Sequence, residues 1–345
     1  MVAMSGGSVD AVETPGGPRF GRHVVELDDG HRVGFAVAGH GVPVVVIHGF
    51  GTEARMYAQP LARLAALGLR VVAIDAPGHG DTQPARSREP TVADVAALLV
   101  RALDQLGVEH AVLAGHSMGG RLATEVAAAD PARALAVVLV NAIVGAPWDR
   151  IQDAMRGSPI ALAGFSRRFW LETAATVPWT DPRQSLKLGW RSARSMIGHL
   201  ARPWESARAA QVVTRSGPSV EALDRLARSG VPLVAMHGDR DRIVPLATAR
   251  DAVVRTGGEL VVVRGGGHSW LLRCPETMPA IVEDLLSGTL GAAFDRAGLD
   301  LARDPVALER ACCAPGAPIG NYGRADRVPL ARHSPRFEWR REPAA

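Results

Sequence analysis

Six short runs of this chain are apolar at every or nearly every position: Val42–Ile47, Leu69–Ile74, Ala111–Ala114, Leu135–Val140, Val231–Met236 and Leu260–Val263. A strand with one face in water alternates polar and apolar residues. A strand buried on both faces does not, and such strands belong to parallel sheets. Helical patterns separate the runs, at Met56–Leu67, Thr91–Leu106, Ser117–Ala129, Ala247–Arg255 and Pro275–Leu286. Thr91 has the chemistry of an N-cap and Gly107 that of a helix stop. This alternation demands βαβ units in an open, mostly parallel sheet, an α/β fold with helices on both faces. Ahead of it, His23–Leu27 and Val33–Val37 flank Asp28-Asp29-Gly30-His31, which reads as a hairpin.

The alternation stops near Gly145. Residues 145–225 hold no buried-strand run and five of the seven tryptophans: Trp148, Trp170, Trp179, Trp190 and Trp204. They also hold 12 basic against 7 acidic residues, a surplus of five that accounts for the whole of the chain's net charge of +4. The expectation is a helical cap inserted into a core formed by 22–144 and 226–290, between a loose tail (1–21) and a C-terminal extension (291–345). The extension is helix-like over Ala292–Leu308, then rich in Pro and Arg.

Composition narrows the classes. At 47% hydrophobic and 21% charged, the 345 residues suffice for a large core and exclude a mostly disordered chain. The basic surplus is weak and comes with no nucleic-acid-binding fold to present it, which argues against nucleic acid as a partner. Cys274, Cys312 and Cys313 make neither a disulfide framework nor a zinc pattern; a strained bridge between the adjacent pair is the lesser alternative. No run approaches the roughly 20 apolar residues needed to span a bilayer, and residues 1–20 lack the plan of a signal peptide. These features lead us to expect a cytoplasmic protein with a small-molecule substrate and no cofactor or metal. Nothing indicates a homo-oligomer.

Chemistry concentrates at the ends of the apolar runs. Gly115-His116-Ser117-Met118-Gly119 lies between a run and a helix. A serine hydroxyl is a weak nucleophile unless it is exposed beside a base and held rigidly. A sharp strand-to-helix turn does this, and flanking glycines remove the Cβ atoms that would clash. His48-Gly49-Phe50 ends an earlier run. Its Phe50 N–H, with that of Met118, can form the two-donor hole that a tetrahedral oxyanion requires. Asp239 and Asp241 follow the run at 231–236. Either can orient a histidine; Asp241 is preferred, and Asp239 suits the turn itself. His268 sits in Gly265-Gly266-Gly267-His268, after the last run. His48, His79 and His116 fit loop-orienting roles.

The order His48-Gly49, Ser117, Asp241, His268 resembles the α/β-hydrolase superfamily over about residues 22–288, and Asp75-Ala-Pro-Gly-His-Gly80 resembles the loop after that family's fourth strand. The resemblance implies an eight-stranded, mostly parallel sheet flanked by helices. It implies a Ser117–His268–Asp241 triad at the sheet's carboxyl edge, and an oxyanion hole at Phe50 and Met118. It implies also that 145–225 is the lid after the sixth strand. A serine at 117 sets the chain apart from the aspartate-nucleophile branches. It is more similar to the capped carboxylesterases, carbon–carbon bond hydrolases and cofactor-free haloperoxidases. The expected activity is cleavage of a carboxylic ester of a small, largely apolar substrate through an acyl-enzyme. Carbon–carbon hydrolysis or acyl transfer on the same triad is the alternative, and ligand binding without turnover the alternative of another class.

Overall fold

The computed structural model describes residues 20–87, 89–175, 189–190, 208, 210–212, 214, 216–322 and 337–342. Strands β1 (Gly21–Glu26) and β2 (Arg32–Ala38) form the antiparallel hairpin, with Gly21 opposite Val37 and Glu26 opposite Arg32. The apolar runs become β3 (Val42–Ile47), β4 (Leu69–Ile74), β5 (Ala111–His116), β6 (Ala134–Val140), β7 (Leu233–Gly238) and β8 (Glu259–Val263), all mutually parallel. A last strand, β9 (Trp339–Glu342), pairs antiparallel with β8. The sheet order is β1-β2-β4-β3-β5-β6-β7-β8-β9. This is the α/β-hydrolase fold, with a ninth strand added to the eight the sequence implied.

Side chains of each central strand alternate between two helical layers. Val45, Ile47 and Leu113 face α2 (Val92–Leu106), α3 (Met118–Ala129), α6 (Val220–Ser229) and α7 (Leu246–Thr256). Val44, Val46 and Val112 face α1 (Ala58–Ala66), α8 (Thr277–Leu286) and α9 (Thr289–Arg296). Each such side chain contributes about 1.5–3 kcal/mol on leaving water. Helix α2 is fixed at both ends by local chemistry. Thr91 and Asp94 make a reciprocal capping box, and Gly107 stops the helix at φ 72°.

The region expected to be the cap opens with α4 (Ala146–Gly157) and α5 (Pro159–Ala175). Trp148 is buried against Phe165, with ring centroids 5.8 Å apart, and Trp190 is exposed. The side chains of Trp170, Trp179 and Trp204 and residues 1–19 lie outside the described set. Helix α6 spans the expected boundary at 225 and packs on α3 and α7, in the layer that flanks the sheet.

The described residues of the C-terminal extension, 291–322 and 337–342, lie on the body. Two helices, α9 and α10 (Pro305–Ala311), replace the single helical stretch read over 292–308. Gly298 at φ 72° follows the end of the first, and Asp304 caps the second by accepting from Ala307 N. Beyond α10, backbone amides of Glu109 and His110 donate to Cys312 O. Arg70, buried in β4, donates to Gly39 O at 2.6 Å, Ile319 O at 2.5 Å and Tyr322 O at 2.8 Å, and pairs with Glu309. Strand β9 then covers the edge of β8, which would otherwise offer unpaired backbone groups to another chain. All three cysteines are buried and free, so the vicinal pair carries no disulfide. Among the described residues no helix is long and apolar enough to cross a membrane.

Candidate active site

The carboxyl ends of β3, β5, β6, β7 and β8 converge on one loop cluster. Ser117 occupies the turn from β5 into α3 at φ 54°, ψ −117°. Only one other non-glycine residue of the described set has a positive φ, Asn141 at 46°. The strained turn is held by Ser117 N donating to Val140 O at 2.9 Å and by Gly120 N donating to Ser117 O at 3.0 Å. The glycines around it are demanded by closeness. A Cβ on Gly115 would lie 2.1 Å from Gly119 O, and one on Gly119 2.0 Å from Ile47 O.

Asp241 and His268 are joined. His268 Nδ1 lies 2.8 Å from Asp241 Oδ2, both side chains being buried. Asp241 Oδ1 accepts from Ile243 N at 2.8 Å and Val244 N at 2.9 Å. Burial opposes the charge on Asp241. Attraction to His268 and the hydrogen bonds outweigh it and hold the carboxyl below the usual range. Asp239 instead accepts from Gly265 N at 2.7 Å and shapes the turn between the β7 and β8 loops. No hydrogen bond joins Ser117 Oγ to His268 among the described residues; such bonds are often long before substrate arrives.

The loop after β3 lies against the serine, since a Cβ on Gly49 would sit 3.4 Å from Ser117 Cβ. Neutral histidines fix it. His48 Nδ1–H donates to Gly49 O at 2.8 Å while Nε2 accepts from Ala76 N at 2.9 Å. His79 Nε2 accepts from Gly51 N at 3.2 Å. Met118 is the first residue of α3, where backbone N–H groups have no partner within the helix. Phe50 packs edge-on to His79 and meets Phe169 of α5, each at 5.9 Å between centroids.

Three residues here escaped the sequence reading. Asn141, fully buried at the end of β6, has every hydrogen-bonding site filled. Nδ2 donates to Asp241 Oδ2 at 2.5 Å and Gly267 O at 3.3 Å; Oδ1 accepts from Trp270 Nε1 at 2.8 Å and Gly238 N at 3.3 Å. The partners dictate the amide's orientation, because a carboxylate and a carbonyl only accept. Its one sequence signal was a polar residue breaking an apolar run at the sheet's carboxyl edge. Glu172 reaches down from α5, and its Oε1 accepts from His268 N at 3.1 Å. A Cβ on Gly267 would come within 2.4 Å of that oxygen. Tyr57 OH lies 2.8 Å from His116 Nδ1. Nothing in the sequence around Glu172 or Tyr57 marked them.

The described residues contain no group of three His, Cys, Asp or Glu placed to hold a metal ion. An open groove of about 540 Å³, lined by His40, Glu309 and Cys313 among others, lies at the amino ends of β3 and β5, opposite Ser117. Burial pushes the Cys313 thiol up to about 11, so it is not a nucleophile.

A family model described as the alpha/beta hydrolase family matches residues 44–283. This chain belongs to that family. It is 32% identical over 277 residues to a putative non-heme haloperoxidase of Mycobacterium phage D29, covering 79% of this chain and 96% of that protein. It is 30% identical over 257 residues to a non-heme chloroperoxidase of Streptomyces lividans, covering 69% of this chain and 89% of the relative. Among solved structures, the esterase RhEst1 from Rhodococcus sp. ECU1013 superposes with a TM-score of 0.59 at 22% identity, over 77% of this chain and 98% of that one.

Proposed function

We propose that this alpha/beta hydrolase is a serine hydrolase that cleaves carboxylic esters of small, largely apolar molecules through an acyl-enzyme. The observation that carries the reading is Ser117 at φ 54° on the turn between β5 and α3, with the hydrogen-bonded Asp241–His268 pair on neighbouring loops. Ser117 Oγ attacks the carbonyl carbon as His268 Nε2 takes its proton. Asp241 keeps the Nδ1–H tautomer in place and stabilises the imidazolium. The N–H groups of Phe50 and Met118 bind the oxyanion, each donor being worth roughly 3–4 kcal/mol in the transition state. His268 then gives the proton to the leaving alcohol, and water resolves the acyl-enzyme by the same steps reversed. Phe50 and Phe169, in contact beside the serine loop, favour an apolar acyl group.

The test is hydrolysis of p-nitrophenyl esters of increasing acyl length by the wild type and Ser117→Ala, with fluorophosphonate labelling of both. The expected result is turnover and labelling in the wild type and neither in the variant. Turnover that survives in Ser117→Ala overturns the assignment, as does a wild type that neither turns over esters nor labels.

A further inference from the structure

We infer that Tyr57 and His116 are a positioning pair that sets the oxyanion loop and the catalytic-histidine loop at a fixed separation across Ser117. The inference rests on the serine-hydrolase reading and adds to it two residues that do not touch the reacting atoms.

The geometry is a single directed chain. Gly49 N donates to Tyr57 Oη at 3.2 Å, Tyr57 Oη meets His116 Nδ1 at 2.8 Å, and His116 Nε2 meets His268 O at 2.9 Å. The sense of each bond follows from chemistry. A carbonyl oxygen only accepts, so His116 carries its proton on Nε2. The imidazole being neutral, Nδ1 can only accept, so the Tyr57 hydroxyl gives its proton to Nδ1 and receives Gly49 N–H on its oxygen. Thr52 Oγ1, 3.4 Å from Tyr57 Oη, donates to Gly49 O at 2.6 Å and closes the loop on itself.

Every group in the chain is buried, so water does not substitute for a lost bond. The protonation states are equally fixed. Burial, then the neighbouring His268, lowers His116 to about 3, and burial pushes Tyr57 up to about 12. His116 therefore stays neutral when His268, 4.9 Å away between ring centroids, takes the serine proton. A second cation there would oppose the first.

The chain also explains a space requirement. A Cβ on Gly49 would fall 2.9 Å from His116 Nδ1, on the atom that accepts from Tyr57. Gly49 precedes the oxyanion donor Phe50, His116 precedes the nucleophile, and His268 is the base. Three loops from β3, β5 and β8 are thus joined through residues adjacent to the reacting groups. Losing the join displaces them against one another without removing a substrate contact, so turnover falls while binding holds.

The test begins by establishing Ser117-dependent ester turnover in the wild-type protein, which settles the underlying reading separately. Four variants then follow: Tyr57→Phe, His116→Gln, His116→Phe and the double Tyr57→Phe/His116→Phe. Tyr57→Phe deletes one oxygen and is expected to lower kcat about 10- to 100-fold, with KM within about threefold, the scale set by small misplacements of reacting groups. Fluorophosphonate labelling is expected to slow in parallel. His116→Gln carries both a donor and an acceptor and is expected to retain most of kcat, whereas His116→Phe falls like Tyr57→Phe. The double variant is expected to be no worse than the poorer single, because the two act as one unit. The inference is overturned if Tyr57→Phe keeps kcat within about twofold, or if the two single losses multiply in the double. It is also overturned if His116→Gln is as impaired as Tyr57→Phe. If His116→Phe does not fold, Tyr57→Phe and His116→Gln decide between these outcomes.

Discussion

Replacing Asn141 by Asp exchanges one atom that matters. Asn141 Nδ2 donates to the buried carboxylate of Asp241 at 2.5 Å. In Asn141→Asp an oxygen takes that place, and two carboxylates face each other about 3 Å apart after relaxation. At an effective dielectric constant of about 20 their repulsion is about 5.5 kcal/mol, equal to about four pKa units. Two such groups do not both ionise, so the introduced carboxyl keeps its proton and titrates near pH 8 instead of about 3.9. While protonated it donates to Asp241 Oδ2 much as the amide did, and activity is retained. The sign of the stability effect follows. The introduced group binds its proton more tightly folded than unfolded, so stability relative to wild type falls as pH rises from about 4 to about 8. The slope is about 1.4 kcal/mol per pH unit. The assay is thermal unfolding of both proteins from pH 5 to 9 alongside kcat on a p-nitrophenyl ester. The Tm deficit is expected to widen by roughly 2 °C per pH unit, and kcat to fall above about pH 7 while the wild type does not. A constant Tm offset with an unchanged pH–rate profile refutes the claim that Asn141 holds Asp241 through this bond.

Four further outcomes follow from the same geometry. Gly119→Ala puts a methyl 2.0 Å from Ile47 O. It is expected to destabilise the protein by roughly 3 kcal/mol in urea unfolding and to abolish fluorophosphonate labelling of Ser117. Glu172→Ala strips an acceptor from His268 N; kcat is expected to fall about tenfold in steady-state kinetics, whereas Glu172→Gln, still an acceptor, retains it. Deleting residues 337–345 uncovers the β8 edge that β9 pairs; a lower Tm and concentration-dependent light scattering are expected, with little change in kcat. Asp241 is held below its usual range by His268 and its hydrogen bonds despite burial. The stability this contributes is present above about pH 4 and lost as pH falls below it. The Tm gap between wild type and Asp241→Asn is therefore expected to close in acid-unfolding scans run down to about pH 2.

What the sequence revealed, and what it hid, divides along the range of the forces involved. The sheet was legible because burial on two faces writes itself into consecutive residues, as in Val42–Ile47 and Leu135–Val140. The turn at Ser117 was legible because strain and close approach leave local marks, the glycines at 115 and 119. Strand β9 left no such mark. Trp339–Glu342 reads Trp-Arg-Arg-Glu, and it became a strand only because the β8 edge stands beside it. Tyr57 was silent for the same reason, and Asn141 showed only as a polar residue ending an apolar run. A buried polar side chain is selected by partners 100 residues away from Asn141 at Asp241 and 59 away from Tyr57 at His116. Spacing along the chain carries no trace of that. The proposed nucleophile and base announce themselves because chemistry demands particular residues at particular turns. The residues that hold those groups in register answer to a demand that exists only in three dimensions, where any buried donor or acceptor must be satisfied. It follows that the surest way to find further positioning residues in this chain is to start from the hydrogen-bonding groups of Asp241 and His268, donors and acceptors alike, and ask which side chain partners each one. That search leads to Asn141, Glu172 and His116, one on each of three separate elements.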